Sequence, residues 1–318
     1  MKLKEWISKS ESIFTRSDLQ FLLRQFFKDK DIFFKQKDIS LDAEKIESLE
    51  KIKKAYQKGA PIAYLLGKEE FFGLEFKVNS AVLIPRSDTE VIIEKAIEII
   101  ENNNLIPLPE SHGLSSWTRD GKRRRPTGNK KGLTGAPDFG RQVHGAPVKM
   151  LDLCCGSANI AISIKKFFKD GIKVWASDIS QKALSVARSN ARLHKVKIDL
   201  RKSSLFTALK GKKFDIIVSN PPYVGSREIK GSLRYEPRIA LEAGLDGMHF
   251  IEKILKNAHL YLEEKGFLII ESGYNHKEPI NSILEKTGKY EIIEWIRDYG
   301  GNFRGVVLKS NIKKQNPK

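Results

Sequence analysis

Two rhythms of apolar and polar positions alternate along this 318-residue chain. Up to residue 66 the apolar positions recur at helical spacing. Leu19, Leu22, Leu23 and Phe26 share one face, with Thr15 or Ser17 placed to cap it. Ile46, Leu49, Ile52 and Tyr56 form a second stripe, opened by Asp42 or Ser40 and ended at Gly59 and Pro61. The period then shortens. Phe71, Phe72, Leu74, Phe76 and Val78, broken at Gly73, predict a β-hairpin that leads through Val82, Leu83 and Ile84 to Pro85 and Arg86. Ser87 or Asp88 is placed to cap a helix running through Val91, Ile92, Ala96 and Ile99 to Asn104.

From Val148 onward, strand-type and helix-type segments alternate. VKMLDLC, IKVWAS, VKIDLRK, FDIIVS and GFLIIE are candidate strands, with helices between them such as Gln181 to Leu193 and Phe250 to Glu263. This alternation predicts an α/β fold with a parallel sheet covered on both faces. Two last strands, Tyr290 to Trp295 and Phe303 to Lys309, are joined through RDYGGN, too short for a crossover helix, so they must pair antiparallel. The expected fold class is a Rossmann-like seven-stranded, mostly parallel sheet with an antiparallel C-terminal strand. A small N-terminal helical domain (1–66) and a β-hairpin linker (67–86) precede the main domain (87–310). Residues 106–146 fit neither rhythm: they are rich in Pro, Gly and basic residues and read as a disordered insert. The tail 311–318 reads as frayed.

Composition narrows the function classes. Hydrophobic residues at 40% and charged residues at 30% describe a soluble globular protein. No apolar run of about 18 residues is present, so no membrane span is expected. The basic N-terminus lacks an apolar signal core. The two cysteines, Cys154 and Cys155, are adjacent, which leaves no disulfide framework and points to a reducing cytoplasm. A net charge of +18 attracts polyanions and would allow incidental RNA contact through the basic surface, including Lys122 to Arg125, Lys130 and Lys131 in the insert. The six histidines show no metal-ligand spacing, so no metal is expected.

The candidate chemistry lies where the strands end. In an open α/β sheet, ligands bind beyond the carboxyl ends of the strands. The first strand of the alternating region runs into Cys154, Cys155, Gly156, Ser157 and Ala158, a turn of small residues opening a helix near Asn159. The second strand ends at Asp178, an acid able to accept from two ribose hydroxyls. These features predict a nucleoside-containing cofactor without separating NAD from S-adenosylmethionine. FDIIVSNPPY makes that separation. Asn220 supplies a side-chain carbonyl, Pro221 a backbone carbonyl without an N–H, Pro221 and Pro222 stiffen the chain, and Tyr223 offers an aromatic wall. Such a site suits methylation of a planar amide or aromatic amine, whose delocalised lone pair needs firm orientation.

SNPPY, read with LDLCCGSANIAI and the acid in ASDIS, resembles the class I S-adenosylmethionine-dependent methyltransferases that modify planar nitrogens. GAPIAYLLGKEEFFGLEFKVNSAVLIPRSDTE, YEPRIALEAGLDG and RDYGGNFRGVV are similar to the HemK family, the release-factor glutamine methyltransferases. The likeness covers nearly the whole chain except the insert. It implies S-adenosyl-L-methionine as cofactor and class I peptide-chain release factors as partners. The reaction implied is methylation of the side-chain amide nitrogen of the glutamine in their Gly-Gly-Gln loop, with the helical domain holding the factor. By the same resemblance Asn220, Pro221, Pro222 and Tyr223 bind the target glutamine. Cys154 to Ala158, Asp178, Leu205 and Asn220 hold the cofactor, and Phe71, Pro85, Arg86 and Thr89 line the cleft. Three departures stand out: Cys154 and Ala158 occupy positions usually held by glycine, Ser204 replaces an acid near the adenine, and the insert precedes the first sheet strand.

Alternative readings are a glutamine methyltransferase of a ribosomal large-subunit protein, a nucleic-acid adenine methyltransferase and a non-catalytic relative. The closing RDYGGN leans toward release factors. No separate base-reading domain is visible. A dehydrogenase would leave Asn-Pro-Pro-Tyr without a role.

Overall fold

The computed structural model describes residues 1–29, 31–33, 39–103, 105 and 146–311. The insert's residues 106–145, with its basic arm, and the tail 312–318 lie outside the described residues.

Four helices come first: α1 (Leu3–Ser8), α2 (Arg16–Phe27), α3 (Ala43–Gln57) and α4 (Ile62–Leu66). Of the two caps open for α2, Thr15 fills the role, its side chain accepting from the Asp18 N–H at 3.1 Å; Asp42 does the same for α3. The predicted stripes meet in one apolar cluster holding Leu3, Trp6, Leu19, Leu22, Leu23 and Leu49. The hairpin follows as β1 (Lys68–Phe71) and β2 (Leu74–Lys77), paired antiparallel with Phe71 opposite Leu74. A short 3-10 turn at Ser87–Thr89 leads into α5 (Glu90–Asn102).

The larger region is built from β3 (Val148–Leu153), α6 (Asn159–Phe168), β4 (Ile172–Asp178), α7 (Gln181–Leu193), β5 (Asp199–Lys202) and β6 (Phe214–Ser219). It continues with α8 (His249–Asn257), β7 (Leu262–Glu271), α9 (Lys277–Thr287), β8 (Tyr290–Arg297) and β9 (Phe303–Ser310). The seven strands β3 to β9 form one sheet in the order β5-β4-β3-β6-β7-β9-β8. β9 inserts between β7 and β8 and runs antiparallel to both, while the pairs from β5 through β7 are parallel. Two apolar clusters cover the two faces. One holds Ile92, Ile97, Met150 and Ile162; the other holds Leu151, Phe214, Ile254 and Leu268.

The structure corrects three boundaries. The helix expected over Phe250 to Glu263 ends at Asn257, a 3-10 turn fills Ala258–Tyr261, and the chain is already strand at Leu262. Phe214 pairs with Leu262 across β6 and β7, so sheet pairing overrides the helical pattern there. β5 covers only the last four residues of the strand expected from Val196. α5 stops at Asn102 rather than Asn104.

Candidate functional site

Register decides what meets at the rim. Leu153, the last residue of β3, pairs with Ser177 on one side and Ser219 on the other. Cys154, Asp178 and Asn220 therefore leave the sheet at one level. The Ser219 hydroxyl donates to the Leu153 carbonyl at 2.7 Å, and the Cys155 N–H donates to the Ser177 carbonyl at 2.9 Å, tying the three strand ends together.

Beyond them lies a cavity of ≈ 180 Å³. Cys154, Cys155, Gly156, Ser157, Asp178, Leu205, Asn220 and Pro222 line it together. Ala158 is fully buried, and neither it nor Pro221 nor Tyr223 is among the residues lining the cavity. Pro85, Arg86 and Thr89 reach the cavity; Phe71 does not. Phe71 is buried against Phe76 and faces a neighbouring groove instead, because the hairpin turns its ring inward. Ser204 is on the lining, where the family's acid was expected. Residues that sequence reasoning missed include Ala81, Val82 and Leu83 ahead of Pro85, Ile239 and Phe250. The first three lie inside a quoted motif and were findable; Phe250 carries no local signal.

The turn from Cys154 to Ala158 is tight because three residues in alternation adopt left-handed backbone: Cys154 (φ 64), Gly156 (φ 52) and Ala158 (φ 61). Both positions where glycine is usual thus keep the glycine conformation without the glycine. A non-glycine residue there costs about 1–2 kcal/mol. Burying the Ala158 methyl returns about 0.8 kcal/mol. Ala158→Gly is therefore expected to change stability by less than about 1 kcal/mol, read as the shift in denaturant midpoint. Both cysteine thiols are pushed well above their ordinary range by burial and by the nearby Asp152 and Asp178 carboxylates, which fits packing rather than redox chemistry.

The two acids have different surroundings. Asp152, at the end of β3, is buried and accepts from the Ala161 N–H in the first turn of α6 at 3.0 Å; burial pushes its pKa up to about 7. Asp178 accepts from Gly156 N–H at 2.9 Å and from Ser180 N–H at 2.8 Å, one on each oxygen. Desolvation raises its pKa while these N–H groups oppose the rise. The two bonds fix the carboxylate and leave further lone pairs for the cavity, as a vicinal diol requires. A Cβ built on Gly156 would meet nothing within 4 Å, so backbone is open to a ligand there. Ile179, next to Asp178, remains 49% exposed on the cavity wall, an apolar surface suited to a purine. The residues present fit S-adenosylmethionine.

Among the described residues there is no His/Cys/Asp/Glu group that could hold a metal, and no helix is long and apolar enough to cross a membrane.

The sheet order, with its reversed strand one in from the edge, and the cavity beyond its strand ends define a Rossmann-like fold of the class I methyltransferase type. Residues 142–236 match the family described as Methyltransferase small domain. The chain is 33% identical over 266 residues to a release factor glutamine methyltransferase of Fusobacterium nucleatum, covering 82% of this chain and 63% of that protein. It is 30% identical to the enzyme of that name from Clostridium acetobutylicum, covering 96% of this chain and 98% of the relative. A bifunctional methyltransferase of Rickettsia felis is 34% identical, with 86% of this chain aligned to 50% of that protein. The chain thus spans less than two thirds of some of the relatives it matches. It belongs to the release factor glutamine methyltransferase family.

Proposed function

We propose that this protein methylates the side-chain amide nitrogen of the glutamine in the Gly-Gly-Gln loop of class I peptide-chain release factors. The observation that carries this reading is the placement of Asn220 and Pro222 on the same cavity wall as the cofactor turn and Asp178. S-adenosylmethionine supplies an electrophilic methyl group on a positively charged sulfur. Asp178 and the Cys154 to Ser157 turn hold its nucleoside portion. Asn220 accepts from the substrate amide through Oδ1, and the carbonyl of Pro221 accepts a second N–H. Both acceptors sit on a stiff segment, so little ordering is left to the encounter. The apolar wall, with Val82, Leu83 and Ile239, keeps water from the charge that disappears as the methyl moves. The methylated amide nitrogen is a strong acid and releases its proton to water.

We assign residues 1–66 to holding the release factor, 67–86 to a linker, and 87–310 to the methyltransferase domain. The test is incubation of the purified protein with labelled S-adenosylmethionine and, separately, a class I release factor and a ribosomal large-subunit protein. The expected result is label on the release factor, located to the Gly-Gly-Gln glutamine by mass spectrometry. Label on the ribosomal protein alone would overturn the assignment.

A further inference from the structure

His276 stands where three segments meet: the loop from Asn220 to Tyr223, the long connection from Val224 to Met248, and the chain leaving β7. It is 3% exposed. The Gly273 N–H donates to its Nδ1 at 3.1 Å, and its Nε2 lies 3.1 Å from the Asp246 carbonyl oxygen. Its ring meets the Tyr223 ring edge-on, with centroids 6.4 Å apart. Gly247, next to Asp246, has φ +76, and a Cβ there would collide with the Tyr223 carbonyl and lie 2.9 Å from two imidazole atoms. The Asp246–Gly247 bend, the Tyr223 backbone and the imidazole are thus packed directly together.

The two bonds fix the protonation of the ring. A backbone N–H can only donate, so Nδ1 must present a lone pair. A backbone carbonyl can only accept, so Nε2 must carry the hydrogen. The imidazole is therefore the neutral Nε2–H tautomer. A proton on Nδ1 would face the Gly273 N–H and break that bond. His276 also occupies the N-cap position of α9, whose positive end opposes an added positive charge.

What this corner holds reaches the cavity. The Val224 N–H donates to the Leu241 carbonyl at 2.8 Å and the Ala243 N–H to the Val224 carbonyl at 3.0 Å, which ties the chain after Tyr223 to the chain after Ile239 and Ala240. Asn220, Pro222, Ile239, Ala240 and Phe250 line the cavity on either side of these ties. Asp178 and the turn from Cys154 to Ser157 belong to the ends of β4 and β3 instead.

We propose that neutral His276 is a positioning residue that pins the Asp246–Gly247 bend against Tyr223 and so holds the wall that takes the substrate amide. This rests on the methyltransferase reading above, and deepens it with a residue that governs how the glutamine is held rather than the cofactor. Burial pushes the His276 pKa below its ordinary value of 6.5, against the Asp246 carbonyl and the Asp246 and Glu228 carboxylates, which pull it up. Tyr223, which faces the ring from the other loop, has its hydroxyl on Glu271 of β7. Because the folded pKa is depressed, the corner is intact above pH 6.5 and is lost as pH falls below it.

The test uses the full chain and a class I release factor. His276→Leu keeps similar bulk without either bond. It is expected to lower kcat/KM for the factor about tenfold or more, with calorimetric affinity for S-adenosylmethionine within about twofold of native. His276→Gln is expected to restore kcat/KM, since its amide oxygen can accept from Gly273 and its NH₂ donate to Asp246. The same variant should lose the acid limb that native transfer shows below pH 6.5. Nitrogen-15 NMR of the histidine-labelled chain without substrate, with His276 assigned by its absence from His276→Gln, is expected to show the Nε2–H tautomer. An Nδ1–H tautomer, a His276→Leu enzyme with native kcat/KM, or an acid limb unchanged in His276→Gln overturns the proposal. If His276→Leu does not fold, the tautomer and the His276→Gln profile decide. Absence of transfer by a native protein that shows the Nε2–H tautomer would instead sink the functional reading.

Discussion

Asn220→Ala is expected to lower kcat for release-factor methylation by about 100- to 1000-fold, the scale seen when one preorganised polar group is removed from a reacting centre. Its side chain is the one on the wall whose bond to Thr89 leaves an acceptor free for a substrate amide. Truncation leaves the bond from the Gly156 N–H to Asp178 in place, so the affinity for S-adenosylmethionine should change little. The melting temperature should also hold, because Asn220 is only partly buried and lies outside β6. Single-turnover methyl transfer with saturating cofactor measures the effect. Transfer within about tenfold of native would show that the amide is held by something else.

Arg86→Leu is expected to give the largest loss of stability. Glu236 has a side chain only 1% exposed, and Arg86 bonds one of its oxygens while the Ile84 N–H donates to the other at 3.0 Å. Removing one partner of a buried pair costs about 3–5 kcal/mol. The Arg86 side chain is 39% exposed, so water reaches the vacated side and the expected cost drops to about 2–3 kcal/mol. That corresponds to a fall of roughly 3–5 °C in a chain of this size. The adjacent Tyr235 hydroxyl donates to the Lys58 carbonyl at 2.5 Å, so the same short segment grips the helical region and the stretch entering α5. Cofactor binding should weaken as well, since Arg86 lines the cavity. Adding Glu236→Gln to Arg86→Leu should recover part of the loss, because a neutral amide still accepts from Ile84 without stranding a charge. Thermal unfolding of the single and double variants decides it; a single variant within about 1 °C of native would refute the role of the pair.

The strand ends were the most legible part of the site. Asp178 and Asn220 each close an apolar run of strand type, and in a parallel sheet such ends share one rim whatever the strand order. The turn from Cys154 to Ala158 was legible as small residues, yet its three left-handed backbones were not, because cysteine and alanine give no local sign of positive φ. Tyr223, expected as an aromatic wall, is not among the residues lining the cavity, and its hydroxyl donates to Glu271. Phe71 went to the neighbouring groove, since alternation along a two-stranded hairpin does not say what the hairpin packs on.

By itself the sequence determined the α/β alternation, the acid and the amide at two strand ends, and the antiparallel last pair. These follow from periodicity and from chain too short to cross over, both of which are local. The tertiary structure alone decided that β9 slots between β7 and β8, that Glu236 clamps Arg86, that Asn220 meets Thr89, and that Tyr223 meets Glu271. Those contacts join residues far apart in the chain, and hydrogen bonds between distant side chains depend on how elements pack, which no local pattern encodes.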